Sequence, residues 1–214
     1  MSDREYHPAP IEGIGWQLSG GLPLVGASLD NADARRLKAT VSDWAHGMNI
    51  DSSKVLIRTA DDSDARQLQD VRRAAFAPVF ASFRAILGKE ISEVTQARDD
   101  EAQAEYLASL FLPSSGWELY VAEQEGLVVG FVSIKLNLET SMGEIGLNAV
   151  HPDFAGAGIG TAMYDAVLER MREAGMHVAT VSTGGDSSHA PARRAYQKAG
   201  FNVGIPSIWL CQRL

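Results

Sequence analysis

The stretch Val150-His-Pro-Asp-Phe-Ala-Gly-Ala-Gly-Ile-Gly-Thr161 decides how the rest of the chain is read. Residues up to Val150 have the composition of a strand, a short loop follows, and glycines open a run with helical spacing. Such a junction presents several backbone N–H groups together, and the helix dipole adds positive character, so the place suits a phosphate. Glycine also lets the backbone approach a pyrophosphate closely. Two familiar phosphate loops fail on spacing. A dinucleotide G-x-G-x-x-G needs glycine at 161 or 163, where Thr161 and Met163 stand, and a Walker loop needs Gly-Lys-Ser/Thr, with no lysine near. What remains is a cradle of N–H groups over Gly156, Ala157, Gly158, Ile159, Gly160 and Thr161.

Downstream of the cradle, Ile159, Met163, Val167 and Met171 trace a helical stripe that ends before Gly175. Val178 to Val181 reads as a strand, Pro191 suits the first turn of a helix running to Ala199, and Gly200 stops it. Ile208 to Leu214 reads as a last strand, with Cys211 buried in it. Upstream lie three strands, Glu118 to Ala122, Leu127 to Leu136 and Gly143 to Val150. Gln124-Glu-Gly126 is a tight turn that makes the first two antiparallel. Before them stand a strand at Val55 to Thr59, helix caps at Asp61, Asp62 and Ser63, and a helix carrying Phe76, Phe80 and Phe83, which Pro78 is expected to break or kink. A second helix covers Asp99 to Leu110. The phenylalanine stripe reads as core ahead of an acceptor pocket. The sum is an α/β domain over residues 53–214, with a mixed, mostly antiparallel sheet flanked by helices on both faces.

Residues 1–52 form an N-terminal extension of different character. Glycine and proline punctuate its first 26 positions, and Ala34, Leu37, Val41, Trp44 and Met48 then recur at helical steps. That apolar stripe needs cover from the core or from a second subunit, so a homodimer is one arrangement the sequence allows.

Nineteen basic and 27 acidic side chains in 214 residues leave a net charge of −8. This argues against bulk binding to nucleic acid or an anionic membrane and favours small cationic partners. The longest apolar stretch, Leu127 to Ile134, is far short of the roughly 20 residues of a spanning helix, and the first ten residues lack the order of a signal peptide. A single cysteine makes no intramolecular disulfide, so a cytoplasmic location is expected. His7, His46, His151, His177 and His189 lack metal-ligand spacing, and no metal is expected.

Two motifs in order resemble those of the GNAT N-acetyltransferase superfamily. Its acetyl-CoA signature, (Arg/Gln)-x-x-Gly-x-(Gly/Ala) after a strand ending Val-x-Pro, is similar to Val150-His-Pro152 followed by Ala155-Gly-Ala-Gly158-Ile-Gly160. Its second signature, an Asn-led helix ending Tyr-x-x-x-Gly-Phe, is similar to His189-Ala-Pro-Ala-Arg-Arg-Ala-Tyr196-Gln-Lys-Ala-Gly200-Phe201. The run Thr183-Gly-Gly-Asp186 before it resembles a bacterial subgroup. The resemblance covers about Val55 to Leu214. Two positions depart from it: Ala155 stands where Arg or Gln is usual, and His189 where Asn is usual.

The resemblance implies the acyl-CoA N-acyltransferase fold and acetyl-CoA as cosubstrate, with an amine of a small molecule or a protein as acceptor. It implies that the pantetheine arm pairs with backbone around Asn148, Ala149 and Val150 and touches His189, while residues 155–161 hold the pyrophosphate. It also implies Glu144, six residues before Val150, as the base, Tyr196 as the acid that protonates departing CoA, and a backbone N–H near Ala149 at the oxyanion. Attack is direct in a ternary complex. An amine near pKa 10.4 and a carboxylate near 4.3 differ by roughly 8 kcal/mol, so burial or a water relay must close the gap; thiol and tyrosine differ by only about 2 kcal/mol. The plainer alternatives are a solvated strand glutamate at 144, and a Tyr196 that only packs beside Ala192, Ala195 and Ala199. Together these give a non-catalytic acyl-CoA-binding or regulatory module.

Overall fold

The computed structural model describes residues 55–214, and the expectations for the extension at residues 1–52 lie outside them. Five strands form one sheet in the order β1 (Leu56–Thr59), β2 (Trp117–Gln124), β3 (Leu127–Asn137), β4 (Met142–Val150), β5 (Val178–Val181). All neighbours are antiparallel except β4 and β5, which run parallel. The turn joining β2 and β3 has Glu125 and Gly126 both at positive φ, the geometry that matches strand twist in a two-residue hairpin.

Helices α1 (Ala65–Thr95) and α2 (Asp99–Ser109) cover one face. Leu68, Val71 and Leu107 pack there against Leu119, Val121, Phe131 and Leu147. On the other face, α3 (Ile159–Glu173) and α4 (Ala190–Lys198) meet Val132, Ile134 and Ile145. The stripe Ile159, Met163, Val167 and Met171 is buried there, as its spacing predicts. Polar clamps fix the α1 side. Arg58 of β1 grips the Asp64 carboxylate at 2.7 and 2.8 Å, and the same carboxylate accepts the Asp61 N–H that opens the capped turn into α1. Arg72, wholly buried, reaches Gln69 at 2.8 Å and Asp100 at 2.7 Å and so ties α1 to α2.

Four expectations need correction. Pro78 does not break its helix. It is exposed on a continuous run, and the interruption falls at Gly88 (φ 73°). Residues 208–214 form no strand: 202–214 are exposed without regular structure, and none of them pairs with the edge strands β1 and β5. Cys211 is accordingly exposed rather than buried. The phenylalanine stripe divides: Phe80 is core, Phe76 packs beside it, and Phe83 turns away to stack on His189.

Candidate active site

β5 accompanies β4 only as far as the pair Ile145 and Val181. Beyond it, residues 146–150 keep β3 on one side and have no strand on the other, so the sheet opens into a gap there. The gap leads toward the glycine-rich turn. Gly156 (φ 84°) and Gly158 (φ 83°) hold left-handed backbone that a Cβ would strain, and Gly158 is the N-cap of α3. The first turn of α3 receives no side-chain cap, and among the described residues no protein acceptor meets the N–H groups of 156–161. Ala155 is exposed, its own N–H spent on Pro152.

A bulge shapes the strand at the gap. Val132 pairs with Asn148 and Ile134 with Ile145, so Gly146 and Leu147 together oppose Ser133. The extra residue reverses the alternation of side chains. Glu144 therefore faces α2, beside its cross-strand neighbour Lys135, whereas Asn148 faces α3 and α4. At the bulge, Trp117 lies against bare backbone: a Cβ on Gly146 would collide with its ring. Lys135 Nζ sits 5.9 Å above the centroid of the same ring. Glu144 is half-buried and makes no hydrogen bond or ion pair among the described residues. Its charge is nonetheless felt by Tyr106 of α2, whose phenol is pushed up first by burial and then by Glu144.

Tyr196 is placed by the end of its helix. Gly200 N–H donates to Gln197 O and Phe201 N–H to Tyr196 O, with Gly200 at φ 100° and the Tyr196 and Phe201 rings 6.0 Å apart. This paired cap, with its apolar contact, is the physical reason for the Tyr-x-x-x-Gly-Phe spacing. The Tyr196 ring is 6% exposed and its hydroxyl meets the Asn148 amide. Burial pushes its phenol up, and hydrogen bonding from Asn148 and Tyr164 pulls the other way without cancelling it. Tyr164, another buried phenol, donates to Asn148 Oδ1 at 2.8 Å, and its own proton is held far more tightly than usual by burial and by Tyr196.

His189 Nδ1 stands 2.6 Å from Asp186 Oδ1. Burial opposes ionisation of Asp186, but hydrogen bonds from Ser188 and His189 outweigh it and hold the carboxyl down at about 2. Arg193 donates to the carbonyls of Gly184 and Asp186, and Ser82 of α1 donates to Asp186 at 3.1 Å. The loop between β5 and α4 is thereby fixed beside the gap. Asn148, Ala149 and Val150 thus lie on the open edge, 155–161 at the helix start, and His189 in the loop. Glu144 and Tyr196 come from opposite faces of the sheet. Sequence reasoning missed Tyr164, which falls off the named stripe, and Tyr106, whose nearness to Glu144 only the packing reveals.

This architecture and its motifs define a class. Residues 81–201, more than half of the chain, match the model of the Acetyltransferase (GNAT) family, and the chain belongs to that family of acyl-transferring enzymes. A mycothiol acetyltransferase of Streptomyces coelicolor is 25% identical over 197 residues, covering 83% of this chain and 62% of its own length. The chain therefore spans about six-tenths of that relative. Another, from Sanguibacter keddieii, is 37% identical over 86 residues, which are 38% of this chain and 27% of that one. Among solved structures, the PaiA N-acetyltransferase of Thermoplasma acidophilum in complex with coenzyme A shares the fold, with a TM-score of 0.54 and 16% identity over 72% of this chain and 92% of that one. Among the described residues no helix is long and apolar enough to cross a membrane.

Proposed function

We propose that the protein transfers an acetyl group from acetyl-CoA to a primary amine. The observation that carries this reading is the gap beside residues 146–150, which leads to an uncapped helix start with its N–H groups free for a pyrophosphate. The pantetheine arm takes the place of the missing strand and pairs with backbone at Asn148, Ala149 and Val150. The N–H groups of 156–161 hold the pyrophosphate, with the exposed side chain of Ala155 adding no charge, and the loop fixed by His189 walls the arm.

The thioester carbonyl then sits in the gap. The amine attacks from the Glu144 side, losing a proton to that carboxylate directly or through water. A backbone N–H near Ala149 stabilises the oxyanion. The carbon–sulfur bond breaks, and the thiolate takes the Tyr196 proton on the other face. Burial that raises Tyr196 also disfavours a thiolate held in the same gap, which keeps the two protons close in energy. The acceptor class stays at the level of a small-molecule or protein amine, and the similarity to mycothiol acetyltransferases makes their acceptor one of the first to try. The test is calorimetric: acetyl-CoA and CoA should bind, NAD and ATP should not. Tighter binding of NAD or ATP would overturn the cofactor assignment.

A further inference from the structure

Asn148 serves three partners at once. Its Nδ2 donates to Gly146 O at 2.8 Å and lies 3.0 Å from the Tyr196 hydroxyl, and its Oδ1 accepts from Tyr164 at 2.8 Å. The Tyr196 hydroxyl is also 3.2 Å from Oδ1. The amide therefore has two ways to hold Tyr196. If Nδ2 donates to the phenol oxygen, the Tyr196 proton stays available. If Oδ1 accepts from the phenol, that proton is tied to the amide.

The surroundings decide between them. Gly146 O accepts only, so the amide cannot turn its oxygen that way, and the nitrogen end is fixed. Tyr164 then takes one of the two lone pairs of Oδ1 with the shorter bond, 2.8 Å against 3.2 Å for Tyr196, and leaves that oxygen a weaker acceptor for Tyr196. We propose that Tyr164 is a positioning residue: by competing for Asn148 Oδ1 it favours the arrangement in which Tyr196 accepts from Nδ2 at 3.0 Å and keeps the Tyr196 proton directed at the gap. This rests on Tyr196 being the acid of the reaction proposed above. The groups facing Tyr196 are Tyr164 from α3, Asn148 from β4 and Phe201 beyond α4, none charged at neutral pH. Hydrogen bonding from Asn148 favours the ionised phenol, in keeping with this arrangement.

Tyr164→Phe keeps the ring and removes the competing donor to Oδ1. The Tyr196 hydroxyl then donates to that oxygen, which lowers kcat and raises the pH at which Tyr196 ionises. In the full-length chain, kcat for acetyl transfer should fall about three- to thirtyfold, less than the hundredfold or more that a whole general acid contributes. KM for acetyl-CoA should stay within about twofold, and the alkaline limb of the kcat profile should move up by about one unit. Asn148→Asp, which removes the donor instead, should move the limb the same way and serves if Tyr164→Phe does not fold. Phenolate absorbance, as the difference between titrations with and without Tyr196→Phe, reads the same upward move without turnover. A fall in kcat with an unmoved limb and unmoved absorbance, or wild-type kcat in Tyr164→Phe, would overturn the positioning role while a slow Tyr196→Phe keeps the acid role. Wild-type turnover in Tyr196→Phe would overturn both.

Discussion

Glu144 and Asn148 stand four residues apart in one strand and face opposite sides of the sheet. In a regular strand they would share a face. The bulge at Gly146 and Leu147 separates them, so that Glu144 looks toward Tyr106 of α2 while Asn148 holds Tyr196 of α4. A base and an acid are thus delivered to one gap from two sides, which suits an amine that enters on one side and a thiol that departs on the other.

Each side should fail in its own way. Tyr196→Phe should lower kcat by roughly ten- to thousandfold with acetyl-CoA affinity nearly unchanged, because only a hydroxyl used late in the reaction is lost. Glu144→Gln should lower kcat by about a hundredfold at neutral pH, and its rate should climb as pH rises toward the acceptor's own pKa near 10.4, where free amine no longer needs a base. Steady-state profiles of both variants check this. Flat profiles at wild-type rate would return both residues to packing and solvation.

The bulge itself is open to test. Gly146→Ala puts a methyl group against the Trp117 ring, which is flat, rigid and flanked by Lys135. We expect a loss of about 1–3 kcal/mol in urea unfolding, as for overpacking generally. Trp117→Phe, which removes the ring atoms nearest Gly146, should recover part of that loss when combined with Gly146→Ala. Additive losses in the double variant would mean that Trp117 does not set the limit.

The departure at Ala155 predicts a gain. Arg193 is engaged with the Gly184 and Asp186 carbonyls and does not stand in for the missing cation. Ala155→Arg should tighten acetyl-CoA binding by roughly ten- to hundredfold, more at low salt than at high, since the position is exposed. Turnover at saturating acetyl-CoA should hardly change, because the contact is remote from the thioester. Calorimetry at two salt concentrations measures it, and unchanged binding would place the pyrophosphate elsewhere.

Asp186 gives a pH signature in stability. Its carboxyl is held at about 2 in the folded chain, below its ordinary value near 4, so the unfolded chain binds the proton more readily. The stability it contributes, about 2 kcal/mol, is present above pH ~4 and lost as pH falls toward about 2. Asp186→Asn should therefore be less stable than wild type at neutral pH, and the difference should close over that window. Urea unfolding at stepped pH shows whether it does; a constant difference would mean the carboxylate's charge is not what holds the loop.

Much of this is legible in the sequence, for reasons that differ by element. The α3 stripe repeats over four turns, and its buried period cannot belong to a strand. The cap at Gly200 is a local backbone requirement, so it shows in sequence. Pro78 misled because a proline's effect depends on which side of the helix it lies, and the apolar run 208–214 misled because composition records what could pair and not what does pair. Glu144 and Tyr196 were reachable only through resemblance. The bulge that sets them on opposite faces, and the tyrosine that shares Asn148, depend on register and packing across distant segments, which no single stretch of sequence carries.

The most direct test of the central claim is thiol release from acetyl-CoA by the full-length protein across a panel of amines: polyamines, aminoglycosides, lysine peptides and the acceptor of the mycothiol acetyltransferases. With at least one acceptor, CoA should be released and acetylated product formed in equal amounts, at a rate that Tyr196→Phe cuts by at least about tenfold. Tight acetyl-CoA binding with no acetylated product from any acceptor would contradict it and leave an acyl-CoA-binding module in its place.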